Sequence, residues 1–125
     1  MEVIKFTIPI EPRTKKNSQQ IFKKANGKPF ITQSNIYKQY EKDCKYFMPK
    51  IDTITTPVNI KYSFYRSTRR LCDLNGLIQA MDDILVKYKV ILDDNFTIVA
   101  GHDGSRVFID KDNPRIEVEI SKIGD

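Results

Sequence analysis

The sequence predicts an α+β fold: a single two-layer domain with a mostly antiparallel, mixed sheet and two main helices packed on one face. Three stretches alternate apolar and polar residues, as half-buried strands do, and two others repeat apolar residues at helical spacing. Turn residues separate these stretches. The chain has 125 residues, the length of one domain, so we expect residues 1–125 to form a single domain.

The composition argues against several classes of protein. The sequence has no apolar run that could cross a membrane and no signal-peptide layout at its start, so we expect a cytoplasmic protein with no membrane partner. Cys44 and Cys72 are too few for a zinc ligand set or a disulfide framework and are typical of a reduced, intracellular protein. The net charge of +5 favours polyanionic partners, although a solvated basic surface accounts for it nearly as well.

The first third of the chain is predicted to contain a strand and a hairpin. Residues Val3–Ile10 alternate apolar and polar side chains, and prolines end the run. The segment Arg13–Ser18 is basic and is either a solvated turn or an arm that contacts phosphate. Residues Ile21–Ile31 surround Asn26-Gly27, a dipeptide typical of tight hairpin turns, and are predicted to form a hairpin.

A helix and a strand follow. Ser34 is the predicted N-cap of a helix that runs to about Phe47. Residues Val58–Tyr65 alternate again and are predicted to form a strand. This strand leads into a basic segment that contains Arg69 and Arg70.

The second helix is predicted from about Asp73 to Tyr88. Asp73 stands at the N-cap position, where a carboxylate also meets the positive end of the helix dipole. Gly76 in the first turn costs about 1 kcal/mol of helix propensity relative to alanine, which suggests that another group approaches the backbone there. The predicted buried stripe consists of Leu74, Leu77, Ile78, Met81, Leu85 and Tyr88.

The C-terminal part is predicted to contain a second hairpin and a last strand. Phe96–Ala100 and Arg106–Ile109 flank a glycine-rich turn, and Arg115–Ile120 alternates as a strand does. His102, in the glycine-rich turn, is predicted to be a solvated loop residue. A general acid–base role for it would need a partner, and the sequence identifies none.

Carboxylates stand at both ends of the second helix. A helix of about sixteen residues is roughly 24 Å long, so Asp73 at its start and Asp94 beyond its end meet only if the chain doubles back. The segment Lys89–Leu92 is long enough to do so as an extended run. The two carboxylates would then offer the oxygen ligands that Mg²⁺ prefers. The alternative is that Asp73 is only a helix cap and Asp93-Asp94 only a turn.

Residues 69–95 also follow a register seen in a known family. Two arginines precede an acidic and amidic helix start, an aspartate lies further along the helix, and an Asp-Asp pair follows it. The matching positions are Asp73, Leu74, Asn75, Gly76, Gln79, Asp83, Leu85, Asp93 and Asp94. This register resembles the RusA family of Holliday-junction resolvases, small phage and bacterial endonucleases. The first strand with its basic loop and the last strand are similar too, so the resemblance covers nearly the whole chain.

The resemblance implies a homodimer that binds branched DNA, namely four-way junctions, and nicks two strands symmetrically by Mg²⁺-dependent phosphodiester hydrolysis. Mn²⁺ is the alternative ion. The implied catalytic residues are Asp73, Asp94 and Asn75. The implied metal ligands are Asp73, Asn75, Asp94 and Asp93. The expected DNA-binding residues are Arg13, Lys15, Lys16, Arg69 and Arg70.

Two positions depart from the family motif. Asn75 stands where the family has a second aspartate, and Gln79 stands where it has a lysine. An amide oxygen can ligate a cation but brings no charge, and Asp82 and Asp83 are nearby acidic residues that could compensate. The candidates to replace the lysine are Lys15, Lys16 and Arg70.

These departures leave three functions open. The first is a metal-dependent, structure-selective DNA endonuclease. The second is a DNA-junction-binding module with weak or no cleavage, because Asn75 and Gln79 depart from the motif. The third is a protein-interaction domain with a polar helix face. Metal-dependent turnover separates the first from the second, and DNA affinity with steep salt dependence separates both from the third.

Overall fold

The computed structural model describes residues 3–15, 19–23, 29–33 and 35–123. The strands are β1 (Ile4–Ile8), β2 (Gln19–Lys23), β3 (Pro29–Gln33), β4 (Val58–Arg66), β5 (Val99–Gly101), β6 (Arg106–Ile109) and β7 (Arg115–Lys122). The helices are α1 (Asn35–Cys44), which a 3₁₀ turn (Lys45–Phe47) extends, and α2 (Leu74–Lys87). The predicted cap Ser34, the predicted turn at Asn26-Gly27 and the predicted DNA-binding residue Lys16 lie outside the described residues.

The main sheet is mixed and has five strands. Strand β7 lies between β1 and β4 and is antiparallel to both, with Ile8 opposite Ile116 and Ile60 opposite Ile120. Strands β5 and β6 both run parallel to β4 along its other edge. Helix α2 is the crossover connection that a parallel pair requires. The α+β class predicted from the sequence is confirmed.

One hydrophobic core joins the sheet to both helices. The sheet buries alternate residues, namely Ile8, Val58, Ile60, Tyr62, Phe64, Ile116, Val118 and Ile120. Helix α1 contributes Tyr37, Tyr40 and Cys44, and helix α2 contributes Leu77, Ala80, Met81, Ile84 and Leu85. Alternate residues of a strand point to one face, so a single core means that both helices cover the same face of the sheet.

The predicted second hairpin is wrong. Strands β5 and β6 each pair with β4, from Val58 opposite Val99 to Arg66 opposite Ile109, and form one edge of the sheet that residues 102–105 interrupt. Gly104 in this interruption has a φ of 86°, a conformation that glycine adopts without strain. Two short strands around a glycine-rich turn have the same sequence pattern whether they pair with each other or with a third strand.

The first predicted hairpin is confirmed. Strands β2 and β3 pair antiparallel from Gln19 opposite Gln33 to Lys23 opposite Pro29. They form a separate two-stranded sheet and do not extend the main one. Within the described residues, no helix is long and apolar enough to cross a membrane.

Candidate functional site

The chain doubles back after α2, as the predicted site requires. The reversal occurs at Lys89, which has a φ of 60°. Val90 and Ile91 are then buried, and Ile91 forms a parallel bridge with Ile54. This burial fixes the return segment against the core and carries Asp94 to the side of α2.

Asp94 lines a cleft beside α2, which we call the Asp94 cleft. Its volume is about 550 Å³. The lining residues are Leu74, Asn75, Ile78, Gln79, Asp82, Asp94, His102, Asp103, Gly104 and Ser105. They come from α2, from the loop after it and from the interruption between β5 and β6. The cleft therefore brings together two predicted site residues, Asp94 and Asn75.

Asp73 lines a second cleft of about 690 Å³, which we call the Asp73 cleft. Its lining residues are Lys15, Cys72, Asp73, Leu74, Asn75, Gly76, Gln79 and Ala80. Leu74, Asn75 and Gln79 belong to both clefts, so the two lie side by side along the first turns of α2.

Asp73 occupies the predicted N-cap position, but its side chain makes no capping hydrogen bond. Its backbone oxygen accepts hydrogen bonds from the N–H groups of Gly76 and Leu77, at 3.1 and 3.2 Å. Only the backbone half of the cap is therefore formed. The exposed carboxylate remains available to a ligand in the Asp73 cleft.

Of the predicted metal ligands, Asp94 lines one cleft, Asp73 lines the other and Asn75 lines both. Among the described residues, no three His, Cys, Asp or Glu side chains come together to hold a metal ion. Asp93 is occupied within its own loop, because Oδ1 accepts from the Asp94 N–H at 2.7 Å and Oδ2 accepts from Asn95 Nδ2 at 3.1 Å. Asp93 therefore shapes the loop that presents Asp94.

The donor chemistry of the Asp94 cleft fits a hard cation. Partial burial and the nearby carboxylates of Asp93 and Asp83 raise the pKa of Asp94 above its usual value. A bound cation would relieve this crowding of negative charge. Mg²⁺ typically uses one or two protein carboxylates together with water and substrate phosphate, so Asp94 with the amide of Asn75 is a sufficient protein contribution.

A chain of three hydrogen-bonded side chains ends in the Asp94 cleft. The Tyr62 hydroxyl donates to Asp82 Oδ1 at 2.6 Å, and His102 Nε2 lies 2.8 Å from Asp82 Oδ2. The His102 ring also stacks on the ring of Tyr62, with centroids 5.9 Å apart. Asp82 is buried, although it does not belong to the predicted buried stripe of α2. His102 is accordingly not the isolated, solvated residue that the sequence predicted.

Lys15 comes from the segment after β1 and reaches the side of α2. Its ammonium pairs with the carboxylate of Asp83 and lies 5.8 Å from the centroid of the Tyr37 ring. It lines the Asp73 cleft together with Gln79, the position where the resembling family has a lysine. Lys15 thus supplies a positive charge next to the site of that substitution.

A third pocket, the arginine pocket, brings together arginines from the segment after β1, from the end of β4 and from the segment after β4. Its volume is about 160 Å³, and it is lined by Glu11, Pro12, Arg13, Thr14, Arg66, Thr68, Arg70, Cys72 and Leu77. Cys72 also lines the Asp73 cleft, so the arginine pocket adjoins it. Arg69 is exposed beside the pocket in the chain.

Arg66 lines the arginine pocket, and one of its nitrogen atoms is buried without a partner in the described part of the chain. Its Nη1 donates to the backbone oxygen of Arg70, but its buried Nε has no hydrogen-bond partner among the described residues. Buried donors are nearly always satisfied in folded proteins. A phosphate could reach this nitrogen only after a local rearrangement, because the atom is buried.

Gly76 explains how the segment after β1 reaches α2. A Cβ at this position would lie 3.2 Å from Cγ2 of the buried Thr14. The close approach predicted at Gly76 is thus the packing of Thr14 against the first turn of α2. It holds Arg13 and Lys15, the neighbours of Thr14, at the edges of the pockets.

Sequence reasoning missed the Tyr62–Asp82–His102 chain. The three residues lie on β4, on α2 and in the interruption between β5 and β6, and only the parallel pairing of that edge brings them together. One signal was present in the sequence: Asp82 follows Ile78 by four residues and precedes Leu85 by three, so it borders the predicted buried stripe, where a charge is unusual.

The comparisons with known proteins add no family: no family model matches the chain, and the search of curated proteins finds no match.

Proposed function

We propose that this protein is a Mg²⁺-dependent, structure-selective DNA endonuclease that resolves four-way junctions by paired phosphodiester hydrolysis. The observation that carries the proposal is the continuous row of arginine pocket, Asp73 cleft and Asp94 cleft at the start of α2. Basic side chains that can bind a DNA backbone thus lie next to oxygen atoms that suit a hard metal ion. A metal-dependent nuclease needs this pairing.

Asp94 and Asn75 are the residues that would hold the metal ion in the Asp94 cleft. When bound, the ion lowers the pKa of a water molecule and neutralises charge on the phosphate. Asp73 offers a further carboxylate from the adjoining cleft. The protein itself would hold the scissile phosphate beside these metal-binding residues and stabilise the negative charge that develops on the phosphate.

Basic residues would bind and orient the DNA backbone. Arg13 and Arg70 line the arginine pocket, where a phosphate would accept hydrogen bonds from their guanidinium groups. Lys15 would take over the role of the lysine that Gln79 replaces, because Lys15 lines the same cleft as Gln79. This replacement favours an active enzyme over a module that only binds.

The same proposal places the chain in the RusA family of resolvases, on the register of residues 69–95. Symmetric cutting of a junction needs a site for each of two strands. The active form is therefore proposed to be a homodimer, acting in the cytoplasm of a bacterium or a phage-infected host.

The experiment is cleavage of a labelled synthetic four-way junction, with a linear duplex of matched sequence as the control. Each substrate is incubated with Mg²⁺, Mn²⁺ or EDTA. We expect paired nicks on the junction with either metal, rare nicks on the duplex and none in EDTA. If the protein binds the junction but makes no nicks with any metal, the proposal is wrong and the protein is a junction-binding module. If it has no affinity for DNA, the protein-interaction domain is the function that remains.

A further inference from the structure

The Tyr62–Asp82–His102 chain is not accounted for by metal binding or by DNA binding. Asp82 is a buried carboxylate on a helix that otherwise buries apolar side chains. Removing a charge from water costs free energy that an apolar residue would avoid. The arrangement therefore has a use that an apolar residue at position 82 would not serve.

The hydrogen bonds determine which nitrogen of His102 carries a proton in the neutral ring. Burial, followed by the nearby Asp82, raises the pKa of Tyr62, so its hydroxyl keeps its proton and donates. Asp82 thus accepts at one oxygen, and its second oxygen is an acceptor for His102 Nε2–H. The hydrogen lies on Nε2, and Nδ1 is left with a lone pair.

The surrounding loop holds the imidazole in one orientation. The ring stacks on Tyr62 with an interplanar angle of 24°. Ser105 donates from its backbone N–H to the His102 carbonyl oxygen at 3.1 Å, and its Oγ accepts from the Tyr62 N–H at 3.0 Å. The side chain of His102 is 28% exposed and lines the cleft that contains Asp94 and Asn75. A water molecule in that cleft can reach it.

We propose that His102 is the general base of the hydrolysis, with Asp82 and Tyr62 as positioning residues; this inference rests on the proposed function. Nδ1 takes a proton from the attacking water while the water oxygen forms a bond to phosphorus. The bond from phosphorus to the leaving ester oxygen breaks, and that oxygen takes its proton from solvent. The proton on His102 then passes to bulk water, which restores the lone pair.

The central test compares two substitutions of His102 on the four-way junction. His102→Gln keeps an N–H donor for Asp82 but has no base, and His102→Ala removes both. A general base contributes on the order of 10²- to 10⁴-fold, so we expect kcat to fall at least 100-fold in both variants while junction binding is unchanged. Full activity in His102→Gln would show that only the hydrogen bond to Asp82 matters and would overturn the proposal.

Chemical rescue tests the lost base directly. The space left in His102→Ala is partly open to solvent, so added imidazole should restore part of the cleavage rate. Imidazole should not restore cleavage by His102→Gln, because the glutamine side chain fills that space. It should not restore cleavage by Asp94→Asn either, because that variant lacks a proposed metal ligand. Failure of imidazole to raise the rate of His102→Ala would count against a proton-transfer role.

A sulfur substitution separates a base from an acid. Sulfur at the leaving position of the mapped cut needs no proton, so it would rescue the loss of a general acid. We expect the His102→Gln defect to persist on this substrate. Rescue by sulfur would assign His102 to the leaving group and overturn the assignment as base.

The positioning role predicts a smaller effect with a matched control. Tyr62→Phe should lower kcat by about tenfold, the lower end of the effect of losing a group that orients a functional histidine, because Asp82 is then free to turn from His102. Tyr65→Phe, on the same strand but stacked on Phe108, should leave kcat unchanged. If the wild-type protein cleaves the junction and the His102 variants are fully active, only this inference is overturned. If the wild-type protein cleaves nothing, the proposed function is overturned and this inference with it.

Discussion

Asp82 shows how a single residue is compensated when its charge is buried. Its two oxygens accept from a phenol and from an imidazole, and Tyr62 beneath it is fully buried. A buried carboxylate that loses a hydrogen-bond donor retains its desolvation cost without compensation. The hydrogen bond from Tyr62 to Asp82 therefore contributes both to the stability of the core and to the orientation of His102.

The Tyr62 hydroxyl should contribute measurably to stability. Tyr62→Phe is expected to lower the free energy of unfolding by about 1–3 kcal/mol, because Asp82 Oδ1 loses its donor. Urea denaturation measures this, with Tyr65→Phe as the control at a half-buried position of the same strand. Equal and small effects of the two substitutions would mean that Asp82 finds another donor.

Asn75 is the residue at which charge can be returned to the candidate metal site. Asn75→Asp adds a carboxylate where the two clefts meet, so we expect tighter Mg²⁺ binding, a higher cleavage rate or a wider range of usable metals. Cleavage of the junction across a Mg²⁺ and Mn²⁺ titration measures all three. A flat response would indicate that Asp73 or another carboxylate already supplies the missing charge.

The elements show which parts of the fold follow from local sequence. The spacing of apolar residues predicted β1, β4, β7, α1 and α2, because each of these elements buries one face and its apolar residues recur at the matching interval. The sequence predicted strands at Phe96–Ala100 and Arg106–Ile109, but β5 begins only at Val99, and both strands pair with β4 and not with each other. Pairing partners are set by tertiary contacts and not by the pattern of a short strand. The burial of Asp82 and the partner of His102 depend on that pairing and could not be predicted either.

The interruption between β5 and β6 depends on Gly104. A non-glycine residue at its φ of 86° is strained by roughly 1–2 kcal/mol, and a Cβ there would lie 3.2 Å from the Lys61 side chain. Gly104→Ala should therefore destabilise the protein by about that amount and reduce cleavage by displacing His102.

Thermal or urea denaturation, with cleavage measured in parallel, tests the Gly104 prediction. Gly76→Ala is the matched control. Its gain of about 1 kcal/mol in helix propensity is offset by the contact with Thr14, so its stability should change little. Gly104→Ala with wild-type stability and cleavage would show that the interruption tolerates another conformation.

At the scale of the whole molecule, part of the positive charge is concentrated in the arginine pocket. The net charge is +5, and Arg13, Arg66 and Arg70 line one pocket that adjoins the Asp73 cleft. Neutralising phosphates releases counterions, so the affinity for DNA should fall steeply with salt. A general solvated surface would not concentrate this dependence on one group of residues.

The double substitution Arg69→Ala/Arg70→Ala tests this location. Each lost phosphate contact lowers the slope of log affinity against log salt by about one, so the double variant should lose about two units of slope and bind junctions more weakly. Lys42→Ala/Lys45→Ala, on exposed positions at the end of α1, is the control with the same change in charge. Equal effects of the two double substitutions would mean that the net charge of the protein, and not the position of Arg69 and Arg70, determines its affinity for DNA.

The substitution Asp94→Asn tests the central claim, that the Asp94 cleft is the site of metal-dependent cleavage, most directly. Junction binding and junction cleavage are measured on the same protein, with Asp112→Asn in the exposed turn before β7 as the control. We predict that Asp94→Asn abolishes cleavage and leaves binding intact or tighter, because a negative charge near the phosphate is removed. Undiminished cleavage, or equal loss of binding and cleavage in a folded protein, would contradict the account.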